Sequence, residues 1–179
     1  MKKIKFFSAF LLLFMLFLLT QCNKDDDTWG DFTVNKDGNR WTGDPRSYDS
    51  KLGGTWFDIS NDGFNEQGFK REEFSFASVP KEEGRYQLAE FDPLIFGTGR
   101  KPCTVTYNTY TGDGQAEGIY TIAKGDSVSF LEITEVSGRK IKGNFSAVLL
   151  LTEDSRMFFP YLKDTVVFTD GTFHTKLNK

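Results

Sequence analysis

The sequence predicts an all-β protein, an antiparallel β-sandwich of about nine or ten short strands. Three observations support this prediction. Apolar and polar residues alternate along many short segments, as they do where one face of a strand is buried. Turn residues such as Gly, Asn and Asp separate these segments at the spacing expected of a sandwich or a barrel. After the first 21 residues, no segment shows a convincing helical period over ten residues.

The first half of the domain contributes strands of modest length. Residues 31–35 (DFTVN) precede the turn-rich sequence KDGN, and residues 55–60 (TWFDIS) alternate before an expected stop at residues 61–63. Residues 69–79 carry Phe74 and Phe76 on one face. After the break that Pro80 introduces, residues 85–88 are expected to resume the sheet.

The second half is more regular. Residues 140–151 are the clearest strand, because Ile141, Phe145 and Leu149 fall on one face while Lys142 and Asn144 fall on the other. The remaining predicted strands are residues 103–110, 118–123, 127–136, 164–168 and 172–177. The last two flank Asp170-Gly171, a dipeptide typical of tight hairpin turns, so a hairpin is expected there.

The least regular parts are residues 43–54, 91–102 and 153–163. We therefore divide the chain into a signal peptide over residues 1–21, a tether over 22–30 and one domain over 31–177. A closed calycin-like β-barrel remains an alternative to the sandwich, since both architectures use short strands at this spacing.

The N-terminus has the organisation of an export signal. Lys2, Lys3 and Lys5 precede the 14-residue run FFSAFLLLFMLFLL, which is apolar except for Ser8. A helix of that length spans about 21 Å, less than the roughly 30 Å of a bilayer core. A cleaved signal is therefore expected rather than a permanent transmembrane helix.

The run ends in Leu19-Thr20-Gln21-Cys22, which resembles the lipobox of bacterial lipoproteins. Gln21 departs from that pattern, which usually has Gly, Ala or Ser before the cysteine. The resemblance implies that Cys22 is the lipid-attachment residue, carries a diacylglycerol, and becomes the new N-terminus. More than one acyl chain gives stable anchoring, whereas a single chain holds only marginally.

The following residues, Asn23-Lys24-Asp25-Asp26-Asp27, resemble the acidic export signal of surface lipoproteins in Bacteroidetes. That resemblance implies the outer membrane, with the protein on its extracellular face. A solvated tether is also expected of such a run, because clustered like charges repel one another and extend the chain.

The remainder resembles a family of small uncharacterised Bacteroidetes outer-membrane lipoproteins, classed as a domain of unknown function. The similarity rests on FTVNKDGNRWTGDP, on Gly84, Tyr86 and Leu88, on the Gly-Asn-Phe of residues 143–145 and on the Thr-Asp-Gly-Thr-Phe of residues 169–173. These motifs consist of turn residues and aromatic residues typical of a sheet core. The resemblance implies an all-β fold and an envelope location, and it assigns no catalytic residue.

Charge and cysteine content narrow the choice of partners. Of 22 basic and 25 acidic residues, three lysines lie in the signal, so the remainder has 19 basic and 25 acidic residues. That balance disfavours nucleic acid and an anionic membrane surface as electrostatic partners, so the lipid anchor is the expected link to the membrane. If Cys22 carries lipid, Cys103 has no disulfide partner, and its place on an alternating strand predicts a buried thiol.

Candidate ligand-binding residues are aromatic. Trp41, Trp56 and Tyr48 are stacking candidates for sugars, because flat rings have an apolar body with polar edges. Aromatic residues on strands more often belong to the core. Trp41, in a Gly- and Pro-rich segment, is the best candidate.

Metal and catalytic signals are weak. Asp113, Gln115 and Glu117 place oxygen atoms at alternate positions and are weak calcium candidates, but they do not complete an EF-hand. With His174 as the sole histidine, paired-histidine metal sites are excluded, and no cofactor is expected.

The sequence favours a non-enzymatic binding or structural module for glycans or a partner envelope protein. The alternative is a carboxylate-based hydrolase anchored to the outer membrane.

Overall fold

The computed structural model describes residues 29–49, 56–90 and 102–177. The signal peptide, Cys22 and the acidic run lie outside the described residues. The described parts form ten β-strands: β1 (Gly30–Lys36), β2 (Asn39–Asp49), β3 (Trp56–Phe64), β4 (Lys70–Pro80), β5 (Gly84–Gln87), β6 (Thr104–Tyr110), β7 (Ala116–Ile122), β8 (Phe130–Ser137), β9 (Lys140–Leu151) and β10 (Thr165–Lys176). One short helix, α1 (Glu153–Phe158), lies between β9 and β10.

All ten strands belong to one antiparallel sheet with the order β10-β1-β2-β3-β4-β6-β7-β9-β8-β5. Strand β10 also pairs with β9 along almost its whole length, from Thr165 opposite Leu150 to Lys176 opposite Lys140. This pairing closes a circuit through β10, β1, β2, β3, β4, β6, β7 and β9. The predicted all-β class is confirmed, and the closed circuit gives the sheet a barrel-like form.

Two sets of strands share the part of the wall between β6 and β9: β7 is one set, and β5 with β8 is the other. One edge of β9 pairs with β8 over its first residues, from Lys140 to Ser146. The same edge pairs with β7 near its end, from Leu149 to Leu151. Strand β5 pairs with β8, and Ala89 just after it forms a parallel bridge with Thr104 at the start of β6. Strands β5 and β8 therefore occupy the part of the wall that β7 does not reach.

The barrel has two distinct ends. At one, which we call the N-terminal end, β1 begins and β10 finishes, as the pairing of Gly30 with Thr175 shows. The opposite, distal end carries the turns after β1, β3 and β6 and the connection from β9 to β10 through α1. Side chains that alternate along the strands point either into the barrel or outward from its wall.

Aromatic rings fill the interior. Phe74 lies at the centre of a cluster, with ring centroids 4.7 Å from Phe168, 5.1 Å from Phe145 and 5.7 Å from Phe32. All four rings are at most 1% exposed. Such offset and edge-to-face pairs add about 0.5–1.5 kcal/mol each beyond the burial of their area. The predicted burial of Cys103 is also confirmed: its thiol is unpaired and 5% exposed.

Three local predictions were wrong. Residues 43–49, expected to be irregular, belong to β2, because Pro45 lies where β2 has left β1 and pairs only with β3. Residues 61–63 do not stop a strand, since Asn61 pairs with Phe74 and Asp62 with Glu73 across β3 and β4. Asp170-Gly171 forms a bulge within β10 rather than a hairpin turn, since both halves of β10 pair with β9.

The expected irregular segment 153–163 contains α1. Thr152 caps this helix by accepting a hydrogen bond from the backbone N–H of Ser155, and Glu153 and Asp154 occupy its first turn. Within the part of the chain that the structure describes, no helix has the length and apolar character needed to cross a bilayer.

Candidate functional site

Trp41 points inward at the distal end and forms part of the core boundary. Its ring makes edge-on contact with Phe32 at a centroid distance of 5.6 Å, and Lys36 Nζ lies 5.7 Å from its centroid. Tyr107 is a further neighbour, at a centroid distance of 6.4 Å. Trp41 is half-buried, so its ring mainly packs within the barrel.

Trp56 and Tyr48 lie at the other end of the barrel from Trp41. Trp56 opens β3 and pairs with Pro80, while Tyr48 pairs with Asp58 across β2 and β3. Both point outward, since the intervening Ser47 and Phe57 are fully buried, and Tyr48 is 41% exposed. The structure therefore places Tyr48 and Trp56 on one part of the wall and separates them from Trp41.

Two of the three calcium candidates, Asp113 and Gln115, contact each other, and the third, Glu117, has a partner elsewhere. Asp113 accepts hydrogen bonds from Thr111 Oγ1 and from Gln115 Nε2 within the turn between β6 and β7, and the bond from Thr111 lowers the pKa of Asp113. Glu117 instead accepts a hydrogen bond from Tyr161 OH. Among the described residues, no group of three or more His, Cys, Asp and Glu side chains is arranged to hold a metal ion.

A partly buried polar cluster lies beside Trp41. Tyr107 OH donates to Glu72 Oε1 at 2.7 Å, Lys36 Nζ lies 3.1 Å from the same hydroxyl, and Lys36 forms an ion pair with Glu72. Burial and the neighbouring Glu72 carboxylate raise the pKa of Tyr107, so the phenol stays protonated and acts as a donor. Every group in this cluster has a partner inside it, which is typical of a structural network.

A second charged cluster lies on the outer wall at β3 and β4. Lys70 Nζ bridges two carboxylates, at 2.8 Å from Asp62 Oδ1 and 2.9 Å from Glu73 Oε2. Arg46 Nη1 is 3.4 Å from Asp62, and the hydroxyl of Tyr110 donates to Glu73. Lys70 thus holds the carboxylates of Asp62 and Glu73 together as a pair.

The electrostatics of Glu73 do not suit the role of a general acid. Burial alone would raise the pKa of Glu73, but hydrogen bonds from Tyr110 and Lys70 and the charge of Lys70 outweigh it and lower the pKa. Burial would likewise lower the pKa of Lys70, but Asp62 and Glu73 together raise it. A glycosidase needs one carboxylic acid that remains protonated to act as a general acid, so a carboxylate held ionised by Lys70 does not fill that role.

An open groove of about 600 Å³ lies on the outer wall across β8, β9 and β10, and we call it the main groove. The bulge in β10 forms one side of it, where Asp170 has a positive φ of 53° and the register shifts against both β9 and β1. Strand β8 forms the other side, up to the pairing of Phe130 with Ser146 where β8 ends its contact with β9. The groove therefore lies where β9 exchanges β8 for β7.

Polar side chains line the main groove in register. Glu132 on β8 pairs with Asn144 on β9, and Asn144 pairs with Thr172 on β10. All three point outward, because their neighbours along each strand are buried. Among the described residues, neither the Glu132 carboxylate nor the Asn144 amide has a hydrogen-bond or ion-pair partner within the protein.

One end of the main groove carries an aromatic ring. The guanidinium carbon of Arg85 lies 3.4 Å from the centroid of Phe130, and Arg85 pairs in register with Glu132. A stacked guanidinium holds its N–H donors in a fixed plane. Arg85 lies beside the groove, whose own lining combines a free carboxylate, a free amide and hydroxyl groups.

Sequence reasoning missed the main groove. The outward orientation of Asn144 was correctly predicted from the alternation of β9, but alternation does not identify the residues opposite it on β8 and β10. The Asp170-Gly171 dipeptide was the available signal, and it marks the bulge that opens the groove. Comparison of the chain with protein-family models, with curated proteins and with solved structures gives no match.

Proposed function

We propose that the protein is a lipid-anchored envelope lipoprotein that binds neutral glycans, without catalysis, in the main groove. The observation that carries this proposal is the row formed by Glu132, Asn144 and Thr172, which presents unpartnered polar groups on adjacent strands. Sugar hydroxyls both donate and accept hydrogen bonds, so a carboxylate, an amide and a hydroxyl held on a rigid sheet suit them.

Peptide binding by strand addition suits this region less well. That mode needs an exposed sheet edge, where main-chain hydrogen bonds supply the affinity. Strands β8, β9 and β10 are each paired on both sides: β8 with β5 and β9, β9 with β8 and β10, and β10 with β9 and β1. The ligand must therefore contact side chains that project from the wall, which favours a polyhydroxylated molecule.

The anchoring part of the proposal rests on residues 1–27, with Cys22 as the acylated residue and the aspartates directing the protein to the outer surface of the outer membrane. Cys22→Ser should abolish metabolic labelling with an acyl chain and release the protein from the membrane fraction. If the variant stayed in the membrane, an uncleaved apolar helix would replace lipid as the anchor.

Glycan binding is tested with the detergent-solubilised full-length protein on a glycan array, followed by calorimetric titration of the neutral oligosaccharides that bind. Asn144→Ala and Glu132→Gln should each weaken binding about fivefold to tenfold, in line with the loss of one or two hydrogen bonds to the sugar. Asn108→Ala is the matched control, because Asn108 is an outward residue on β6, away from the main groove. Glycan binding in this groove would be overturned if no glycan on the array bound the protein. It would also be overturned if Asn144→Ala, Glu132→Gln and Asn108→Ala weakened glycan binding equally.

A partner envelope protein is the second candidate. Met157 and Phe158 of α1 and Tyr161 after it are 68%, 69% and 70% exposed. Large apolar side chains exposed together at the distal end favour contact with another protein. If a partner protein binds here, chemical crosslinking in intact cells should join it to this protein. Replacing Met157 and Phe158 by serine should remove that crosslink without changing the affinity for glycans.

A further inference from the structure

A second groove, of about 420 Å³, lies on the outer wall across β1, β2 and β3, and we call it the side groove. Its polar lining comes from Asp31 and Thr33 on β1, Thr42 on β2 and Asp62 on β3. Phe64, which is 48% exposed, closes the end nearest the distal turns. No residue of the main groove lines the side groove.

The two grooves are neighbours on the wall. Thr172, which lines the main groove, pairs directly with Thr33 across β10 and β1. Thr33 in turn pairs with Thr42 across β1 and β2. Residues paired directly across antiparallel strands have Cβ atoms about 5 Å apart, so the Thr172 and Thr33 side chains are adjacent.

The register places five outward polar side chains in one row at right angles to the strands. The row runs through Glu132, Asn144, Thr172, Thr33 and Thr42 on β8, β9, β10, β1 and β2. At about 4.8 Å between neighbouring strands, four steps make a row of roughly 19 Å along the curved wall. An aromatic ring lies at each end of the row, Phe130 beside Glu132 and Phe64 beyond Thr42.

We propose that the main groove and the side groove form one extended site for a single linear oligosaccharide, which crosses the strands along this row. The proposal rests on the proposed glycan binding and adds the length and charge of the ligand. A row of hydroxyl, amide and carboxylate groups at regular spacing suits a polymer of repeated polyhydroxyl units better than a single sugar. At one end the exposed ring of Phe64 offers a stacking surface for a terminal unit, whereas at the other end Arg85 already covers one face of Phe130.

The charges along the row favour a neutral chain over an acidic one. Glu132 and Asp31 have no ion pair with lysine or arginine among the described residues; Asp31 lies only near His174, with 3.7 Å between its Oδ1 and the ring Nδ1. Asp62 is already paired with Lys70 and Arg46. A polysaccharide with carboxylates or sulfates would therefore meet the unpaired carboxylates of Asp31 in the side groove and Glu132 in the main groove, with Arg85, stacked on Phe130, as a cation beside Glu132.

The test compares oligosaccharides of different length. Full-length protein is titrated with the disaccharide and the hexasaccharide derived from each of cellulose, xylan and mannan. For a polysaccharide that binds, the hexasaccharide should bind at least tenfold more tightly than the disaccharide of the same polysaccharide. Thr33→Val and Thr42→Val remove only hydroxyl groups from the side groove, and each should weaken binding of the hexasaccharide about threefold to tenfold while leaving the disaccharide unchanged.

Thr106→Val is the matched control, because Thr106 is a half-buried threonine on β6 that pairs with Ser75 and lies in neither groove. The extended site would be overturned if the disaccharide and the hexasaccharide bound with equal affinity, or if Thr33→Val and Thr42→Val left hexasaccharide affinity unchanged. Either result would leave glycan binding in the main groove intact. Failure of every oligosaccharide to bind the unsubstituted protein would overturn both.

Discussion

Gly143 and Phe173 face each other across β9 and β10, and the glycine makes room for the ring. A Cβ atom on Gly143 would lie 2.5 Å from Cζ of Phe173. The relationship is reciprocal, because Phe145 on β9 faces Gly171 on β10, where a Cβ would lie 2.4 Å from the Phe145 ring. Two glycine–phenylalanine pairs thus interlock inside the barrel, which gives the Gly-Asn-Phe and Thr-Asp-Gly-Thr-Phe motifs a packing role.

Gly143→Ala should lower the free energy of unfolding by about 1–3 kcal/mol, because the added methyl group forces Phe173 or the backbone of Glu132 to move. Urea denaturation of the protein, followed by tryptophan fluorescence, measures the change. Gly112→Ala is the control, since its Cβ would approach only the Arg71 side chain, at 3.6 Å. If Gly143→Ala also cost less than 0.5 kcal/mol, the proposed interlock would be wrong.

Stability should fall in acid partly because of Glu73. Its pKa in the folded protein lies below the ordinary value of 4.5, so its contribution is complete above about pH 4.5 and is lost as the pH falls through the folded pKa. Glu73→Gln should therefore be less stable than the unsubstituted protein at pH 7, and the difference should shrink as the pH falls below 4.5 through the folded pKa. Urea denaturation at several pH values measures this.

Glu66→Gln is the control for that titration, because Glu66 is exposed in the turn between β3 and β4. Glu66→Gln should change the free energy of unfolding at pH 7 by less than about 0.5 kcal/mol. A difference between Glu73→Gln and the unsubstituted protein that stayed constant throughout the acid range in which the protein is folded would show that the Lys70 pairing does not act through ionisation of Glu73.

The Cys103 thiol should be unreactive in the native protein. Burial is the main reason that its pKa rises to about 12, so little thiolate exists at neutral pH and reagents cannot reach it. Ellman's reagent should detect no Cys103 thiol until urea unfolds the protein. If Cys22 carries lipid as we propose, denatured protein from the membrane fraction should then show one reactive thiol per chain, whereas two thiols would indicate that Cys22 is not acylated.

The bulge in β10 should depend on the residue at position 170. Asp170 has φ of 53°, a conformation that glycine adopts easily and β-branched residues avoid. Asp170→Gly should change stability little, whereas Asp170→Val should cost about 1–2 kcal/mol. Circular dichroism during thermal unfolding compares the two variants, and equal stability of both would show that the strand relaxes away from the bulge.

Local alternation predicted the strands that bury one face. The predicted limits of β9 agree with the structure, because Ile141, Phe145 and Leu149 point into the barrel. Strand β2 was missed because it contains Gly43 and Pro45, residues that normally interrupt sheets. Gly43 is needed where Asn61 packs against the backbone, since a Cβ there would lie 2.3 Å from the Asn61 amide.

The candidate site was less predictable than the fold. Both grooves depend on which residues of distant strands lie opposite each other, as with Glu132 and Asn144 or Thr172 and Thr33. That register follows from the bulge and from the closure of the barrel, neither of which a short sequence window contains. Of the aromatic residues chosen for their type, Trp41 packs beside the core, whereas Tyr48 and Trp56 point outward.

The division of β9 between two partners has a consequence for exchange of backbone amide protons. The circuit that closes through β7 does not need β5 and β8, so this pair of strands can separate as a unit while the rest of the barrel stays closed. Amides of β8 should then exchange with deuterated water before those of β10. Because Phe130 and Glu132 belong to β8, the same opening would widen the main groove, and a bound ligand would slow that exchange.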